Sequence, residues 1–162
     1  TGTRFANMCR FGCGMKVLAY DAFVKEAPEG VTLVSDLDEL LRQSDFVSLH
    51  CSLVDGTRKI MNRDRLAAMK PTAILINCAR GPLVDEEALI EALQNGKLGG
   101  AGLDVTDPEP VSPDSPLFQM DNVIVTPHYA PTTLEAAMRV SQIGAENIVA
   151  YLSGGEPVGR LV

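Results

Sequence analysis

The sequence predicts an α/β fold built on a parallel, doubly wound sheet. Three observations carry that reading. Short apolar runs alternate with amphipathic stretches along the chain, the signature of strand–helix repeats around a parallel sheet. One such run, residues 73–77, passes at once into Arg80-Gly81 and then into an amphipathic stretch over 86–95. Two later runs also end in polar groups: one leads into Asp104 and Glu109, the other into His128. In open α/β sheets, ligands bind outside the carboxyl ends of the strands.

The elements follow in order. Residues 2–11 carry Phe5, Met8 and Cys9 at helical spacing and predict a helix. Residues 15–20 form an apolar strand that ends at Asp21, and 31–34 fit a short edge strand. Ser35 and Asp38 form a capping box for a helix over 36–43. Residues 46–50 are the next strand. Asn62 caps a short helix that reaches Met69, and Pro71 prevents its extension. Strands over 73–77, 99–105 and 123–126 complete the sheet, and Asp85 opens the helix over 86–95. The Pro-rich segment 108–116 is a loop of a kind that often carries function. A long amphipathic helix over 133–152 is closed by Gly154-Gly155.

Composition narrows the function classes. With 162 residues, 46% hydrophobic and 22% charged, the chain has the makeup of one ordinary globular domain. A net charge of −7 argues against a nucleic-acid surface, which wants a basic stripe. No apolar run approaches the roughly 20 residues of a membrane helix. Nothing near Thr1 has a signal peptide's charged-then-apolar pattern. Cys9, Cys13, Cys51 and Cys78 form no CxxC pair and have no histidine at metal spacing. Buried free thiols in a reducing cytoplasm are the expectation, with no metal site.

Candidate site residues gather at strand ends. Gly2 precedes a helix, and Asp21 ends the next strand about 20 residues on, the separation between the last glycine of a dinucleotide fingerprint and the acid that binds a ribose hydroxyl. Taken singly, each residue has a plainer reading. Asp21 is then a turn aspartate, His50 a packed strand-end histidine, Arg80 a solvated arginine, Glu109 a loop acid, and His128 a residue at a helix start. In combination, a guanidinium can grip a carboxylate with two parallel hydrogen bonds. An imidazole near neutral pH can shuttle an alcohol proton, and a carboxylate beside it favours its charged form.

Together these motifs resemble the D-isomer-specific 2-hydroxyacid dehydrogenases, the family of D-3-phosphoglycerate dehydrogenase and glyoxylate/hydroxypyruvate reductase. The resemblance runs from Gly2 to about Gly155. Phe11 to Val17 matches a Phe-Gly-x-Gly-Met-Lys-Val form found in the family, with one extra residue before the strand. Tyr129-Ala130-Pro131 and Thr133-Leu134-Glu135-Ala136 fit the segment after the family's histidine. Ser52 departs from the pattern, standing where the family usually has proline, which is expected to loosen the loop after His50 slightly.

The resemblance implies a Rossmann-type sheet. Residues 1–127 are then an NAD-binding domain whose first strand lies before Thr1. That strand would sit between the one ending at Asp21 and the one ending at Asn77. Residues 128–162 are the catalytic histidine and a helix returning to a substrate domain. The implied cofactor is NAD, favoured over NADP because Asp21 has no arginine after it to neutralise a 2′-phosphate. Thr1 and Gly2 would touch the pyrophosphate, Asp21 the ribose, and Cys51, Ser52 and Thr57 the adenosine side. Cys78, Ala79, Arg80, His128 and Ala130 would line the cofactor, with Asp104 on the nicotinamide carboxamide. Arg80 would bind substrate, His128 move the alcohol proton, and Glu109 support His128. The implied partner is a small 2-hydroxy or 2-keto acid, in a full-length protein that is a homodimer or higher oligomer. Two rival readings are an NAD-sensing corepressor-like scaffold and a formate dehydrogenase-like enzyme, whose branch carries Gln at the position of Glu109.

Overall fold

Four short apolar segments form the main sheet: Phe46–Leu49 (β3), Ile74–Asn77 (β4), Gly100–Leu103 (β5) and Val123–Val125 (β6). They lie parallel in the order β3-β4-β5-β6, with Leu49 opposite Asn77, Asn77 opposite Leu103, and Leu103 opposite Val125. This register brings the carboxyl ends of all four strands to one edge. Val17–Ala19 (β1) and Val31–Leu33 (β2) pair as a separate two-stranded parallel sheet. The computed structural model describes residues 1–159; positions 160–162 of the expected second unit lie outside the described residues.

The chain falls into two compact units, Thr1–Pro127 and His128–Val162. In the first, the helices Leu37–Gln43 (α2), Arg63–Ala68 (α3) and Glu86–Gln94 (α4) pack in succession. They bury Leu41, Leu66 and Leu89 into one core with Leu75 and Leu103 from the strands. Full burial of such a side chain stabilises the fold by about 1.5–3 kcal/mol. The second unit is dominated by the helix Leu134–Leu152 (α5), capped where the Thr133 hydroxyl accepts the Ala136 N–H at 3.1 Å. Its Leu134, Val140, Ile148 and Tyr151 are exposed.

Most expected elements are present within a residue or two at their ends. Three differ in instructive ways. The first helix is α-helical over Gly2–Asn7 (α1) and widens to π-helical turns over Met8–Gly12. The helix α2 is capped not by Ser35 but by Asp36, whose carboxylate accepts the Asp38 N–H at 2.9 Å. An aspartate one residue closer to the helix outcompetes the capping-box pair. β3 is one edge of the four-stranded sheet, and β4, the strand ending at Asn77, is interior. Since β3 and β5 flank β4 on both sides, no other strand can pair with β4, and the expected neighbour of a preceding strand is corrected accordingly.

Candidate cofactor and active site

The amino end of α1 lies over the end of β3. Gly2 makes this approach possible: a Cβ there would stand 3.3 Å from the His50 Cβ. The Phe5 ring packs on the His50 ring at 5.2 Å between centroids. His50 also shares a hydrogen bond between Nε2 and the Ser48 hydroxyl at 3.0 Å, and burial pushes its pKa down. Thr1, exposed, is the residue before the helix.

Asp21 follows β1 and is exposed. Its Oδ1 accepts the N–H groups of Phe23 at 2.9 Å and Val24 at 3.1 Å, and these bonds hold the carboxyl below the ordinary aspartate range. Beside it opens a cleft of about 410 Å³, lined by Tyr20, Asp21, Ala22, Val24, Leu33, Val34 and Ser35. Ala22, Val24, Leu33 and Val34 give it an apolar wall, beside one carboxylate and the hydroxyls of Tyr20 and Ser35, a mixture that suits a nucleoside, whose base is apolar on its faces and whose ribose offers hydroxyl donors.

The loop after β3 is tied down by Thr57. Its Oγ1 donates to the Ser52 carbonyl at 2.6 Å and accepts the Val54 N–H at 2.9 Å. The loosening expected from Ser52 is thus opposed by this hydroxyl, which serves the loop's own structure. Cys51 is half-buried, and burial raises its thiol pKa.

After β4, the fully buried Asn77 builds the next loop. Its Oδ1 accepts the Ala79 N–H at 3.0 Å and its Nδ2 donates to the Arg80 carbonyl at 2.9 Å. Cys78 and Arg80 are exposed, and Ala79 is half-buried. The Arg80 Nη1 donates to the Ala79 carbonyl at 2.6 Å, which steadies a long side chain. Partial desolvation of its sulfur and the nearby Asp104 carboxylate raise the Cys78 pKa, so neither Cys51 nor Cys78 is poised as a thiolate.

Gly81 brings this loop against the one after β5. A Cβ on Gly81 would fall 1.9 Å from the Thr106 carbonyl oxygen, so the two backbones touch there. Asp104, at the end of β5, is 5% exposed and accepts the Thr126 hydroxyl at 2.5 Å. Its own N–H donates to the Asn77 carbonyl at 2.9 Å. Glu109 lies exposed further along the same loop. Between them, Glu86 at the start of α4 accepts the Asp107 N–H at 3.1 Å.

In the second unit, His128 is half-buried with φ of 57°, a left-handed backbone that non-glycine residues seldom adopt. Ala130 is exposed. Among the described residues, no group of three His, Cys, Asp or Glu could hold a metal ion, and no helix is long and apolar enough to cross a membrane.

The arrangement thus brings Arg80, Asp104 and Glu109 onto the loops of two neighbouring strands, with the Asp21 cleft and the Gly2 helix end in the same unit. Sequence reasoning missed Glu86 and Thr126 as parts of this framework, and it singled out Gly81 in the Arg80-Gly81 pair without its contact to Thr106. Their partners lie far along the chain, and only the Arg-Gly pair carried any local signal.

Residues 1–130 match the family model described as D-isomer specific 2-hydroxyacid dehydrogenase, NAD binding domain. The D-3-phosphoglycerate dehydrogenase of Methanocaldococcus jannaschii is 47% identical over 144 residues, covering 87% of this chain and 27% of that protein. The glyoxylate reductase of Thermofilum pendens is 49% identical over 123 residues, covering 76% of this chain and 36% of that protein. The crystal structure of D-lactate dehydrogenase with NAD+ from Lactobacillus jensenii superposes with a TM-score of 0.89 at 34% identity, covering 99% of this chain and 52% of that one. The chain therefore spans between about a quarter and about a half of the relatives' length. With a family match over most of its length and a four-stranded Rossmann-like sheet, the chain belongs to the D-isomer-specific 2-hydroxyacid dehydrogenases, residues 1–130 matching their NAD-binding domain.

Proposed function

We propose that the full-length protein is an NAD-dependent dehydrogenase that interconverts a small D-2-hydroxy acid and its 2-keto acid. The observation that carries this reading is the meeting of the Arg80 and Glu109 loops at the carboxyl ends of β4 and β5, in a family of known chemistry. 3-Phosphoglycerate, glyoxylate and hydroxypyruvate are the first substrates to assay, since relatives are named for acting on them.

NAD, when bound, supplies the hydride acceptor for the hydroxy acid and, reduced, the hydride donor for the keto acid. The chain's residues supply the rest. Asp21 takes the ribose hydroxyls and repels a 2′-phosphate, and Asp104 orients the carboxamide end. Arg80 grips the substrate carboxylate and polarises the C2 oxygen. His128 removes the C2 hydroxyl proton in oxidation and returns it in reduction. Glu109 steadies the charged imidazole. The left-handed backbone at His128 supports a functional role, because such strain is retained where geometry matters.

The test is His128→Asn in the full-length protein. Asparagine tolerates the left-handed conformation but transfers no proton. Turnover should fall roughly 100-fold or more with NAD affinity retained. Glu109→Gln should lose less and narrow the pH range of activity. Arg80→Lys should raise KM and lower kcat, since an ammonium cannot reproduce a planar two-pronged grip. A His128→Asn enzyme as fast as the parent would overturn the reading.

A further inference from the structure

We infer that Glu86 is a positioning residue, whose side chain holds the loop carrying Glu109 in register with the segment carrying Arg80. The inference rests on the dehydrogenase reading above and assigns a task to a residue outside its catalytic set.

The two loops meet at one point. A Cβ on Gly81 would lie 1.9 Å from the Thr106 carbonyl oxygen and 2.9 Å from the Asp107 nitrogen. The Asp107 amide therefore stands at the closest approach of the two backbones. Its N–H is taken by Glu86 Oε2 at 3.1 Å. Glu86 is the first residue of α4 and reaches its partner across 21 positions of sequence.

Each side of this contact is stiffened toward a functional residue. On one side, the Asn77 side chain ties Ala79 and Arg80 into a fixed turn that ends at Gly81. On the other, the Thr106 hydroxyl donates to the Pro108 carbonyl at 2.8 Å, bracing the stretch between Asp107 and Glu109. A shift at Asp107 is therefore passed on to Glu109 rather than absorbed. The half-buried Glu86 sits there against its ionisation preference: burial pushes its carboxyl up, the Asp107 carboxylate adds to that, and the Asp107 amide opposes both. A first-turn glutamate facing solvent would have no such cost.

Glu86→Ala removes the acceptor; Glu86→Gln keeps an oxygen that can accept the Asp107 N–H. In the full-length protein, Glu86→Ala should lower kcat roughly 10- to 100-fold, the scale of a misplaced catalytic group, with NAD affinity unchanged. It should also move the alkaline fall-off of keto-acid reduction to lower pH, the shift expected of Glu109→Gln. A loss of general stability alone moves no pH profile. Glu86→Gln should retain parental kcat and pH profile. A Glu86→Ala enzyme with parental kcat and profile, or a Glu86→Gln enzyme as impaired as Glu86→Ala, overturns the inference. Should Glu86→Ala fail to fold, hydrogen exchange at the Asp107 amide of the unmutated protein decides: protection supports the clamp, and free exchange overturns it. Glu109→Gln and His128→Asn run alongside separate the two claims. If both are as active as the parent, the dehydrogenase reading falls; if both are impaired while Glu86→Ala is not, this inference alone falls.

Discussion

Asp21 commits one carboxylate oxygen to its own loop, accepting the N–H groups of Phe23 and Val24 on Oδ1. Those bonds turn the backbone after β1 and set the rim of the cleft lined by Tyr20 and Ser35. Replacing Asp21 by Ala should therefore act twice, removing the ribose partner and freeing the turn. NAD binding should weaken and the preference for NAD over NADP should shrink. Equal catalytic efficiency with both cofactors in the unmutated protein would contradict the assignment. The pH dependence has a definite sign. The folded-state carboxyl is held below 3.8, so the turn's stabilisation is present above that value and is lost only as pH falls through the depressed one. Cofactor affinity should therefore stay level across the neutral and mildly acidic range, as measured by titration calorimetry.

At the scale of elements, function depends on how closely two loops approach. Gly81 has no side chain because the Thr106 carbonyl occupies the space a Cβ would need. Gly81→Ala should cost about 3 kcal/mol, the upper range for forcing extra volume into a packed site, and should push the Arg80 segment away from Thr106. A denaturant midpoint unchanged from the parent would refute that packing. This element also marks what the sequence discloses. Caps at Asn62, Asp85 and Thr133 are local events, since each side chain bonds an amide a few residues on, and they are legible. So is an arginine just past a strand. The clamp of Glu86 on Asp107 and the Thr126 hydroxyl on Asp104 join residues more than twenty positions apart. No local pattern encodes them. The order of β3 and β4 was missed for the same reason: both segments are apolar and similar in length, and only long-range pairing separates edge from interior.

Across the whole molecule, two features argue against independent behaviour of the 162-residue chain. Among the described residues the strands form two separate sheets, so β3 and β6 each leave one edge of the larger sheet unpaired there, and the β1-β2 pair leaves two more. Exposed, unpaired strand edges template association with other chains. In addition, α5 exposes Leu134, Val140, Ile148 and Tyr151 at 63–74%. Each aliphatic side chain left in water forgoes about 1.5–3 kcal/mol of burial, and a helix of this length gains most of its stability from packing its apolar face. The chain expressed alone is therefore expected to self-associate, to melt without a sharp cooperative transition, and to turn over no hydroxy acid. The core of β3 to β6 with α2, α3 and α4 should be the part that stays protected from hydrogen exchange, because its leucines are the ones fully buried. Sedimentation, thermal melting and NAD titration of residues 1–162 would check this. A monomer with one cooperative melt and micromolar NAD affinity would show that neither the open edges nor the uncovered helix face matters to folding.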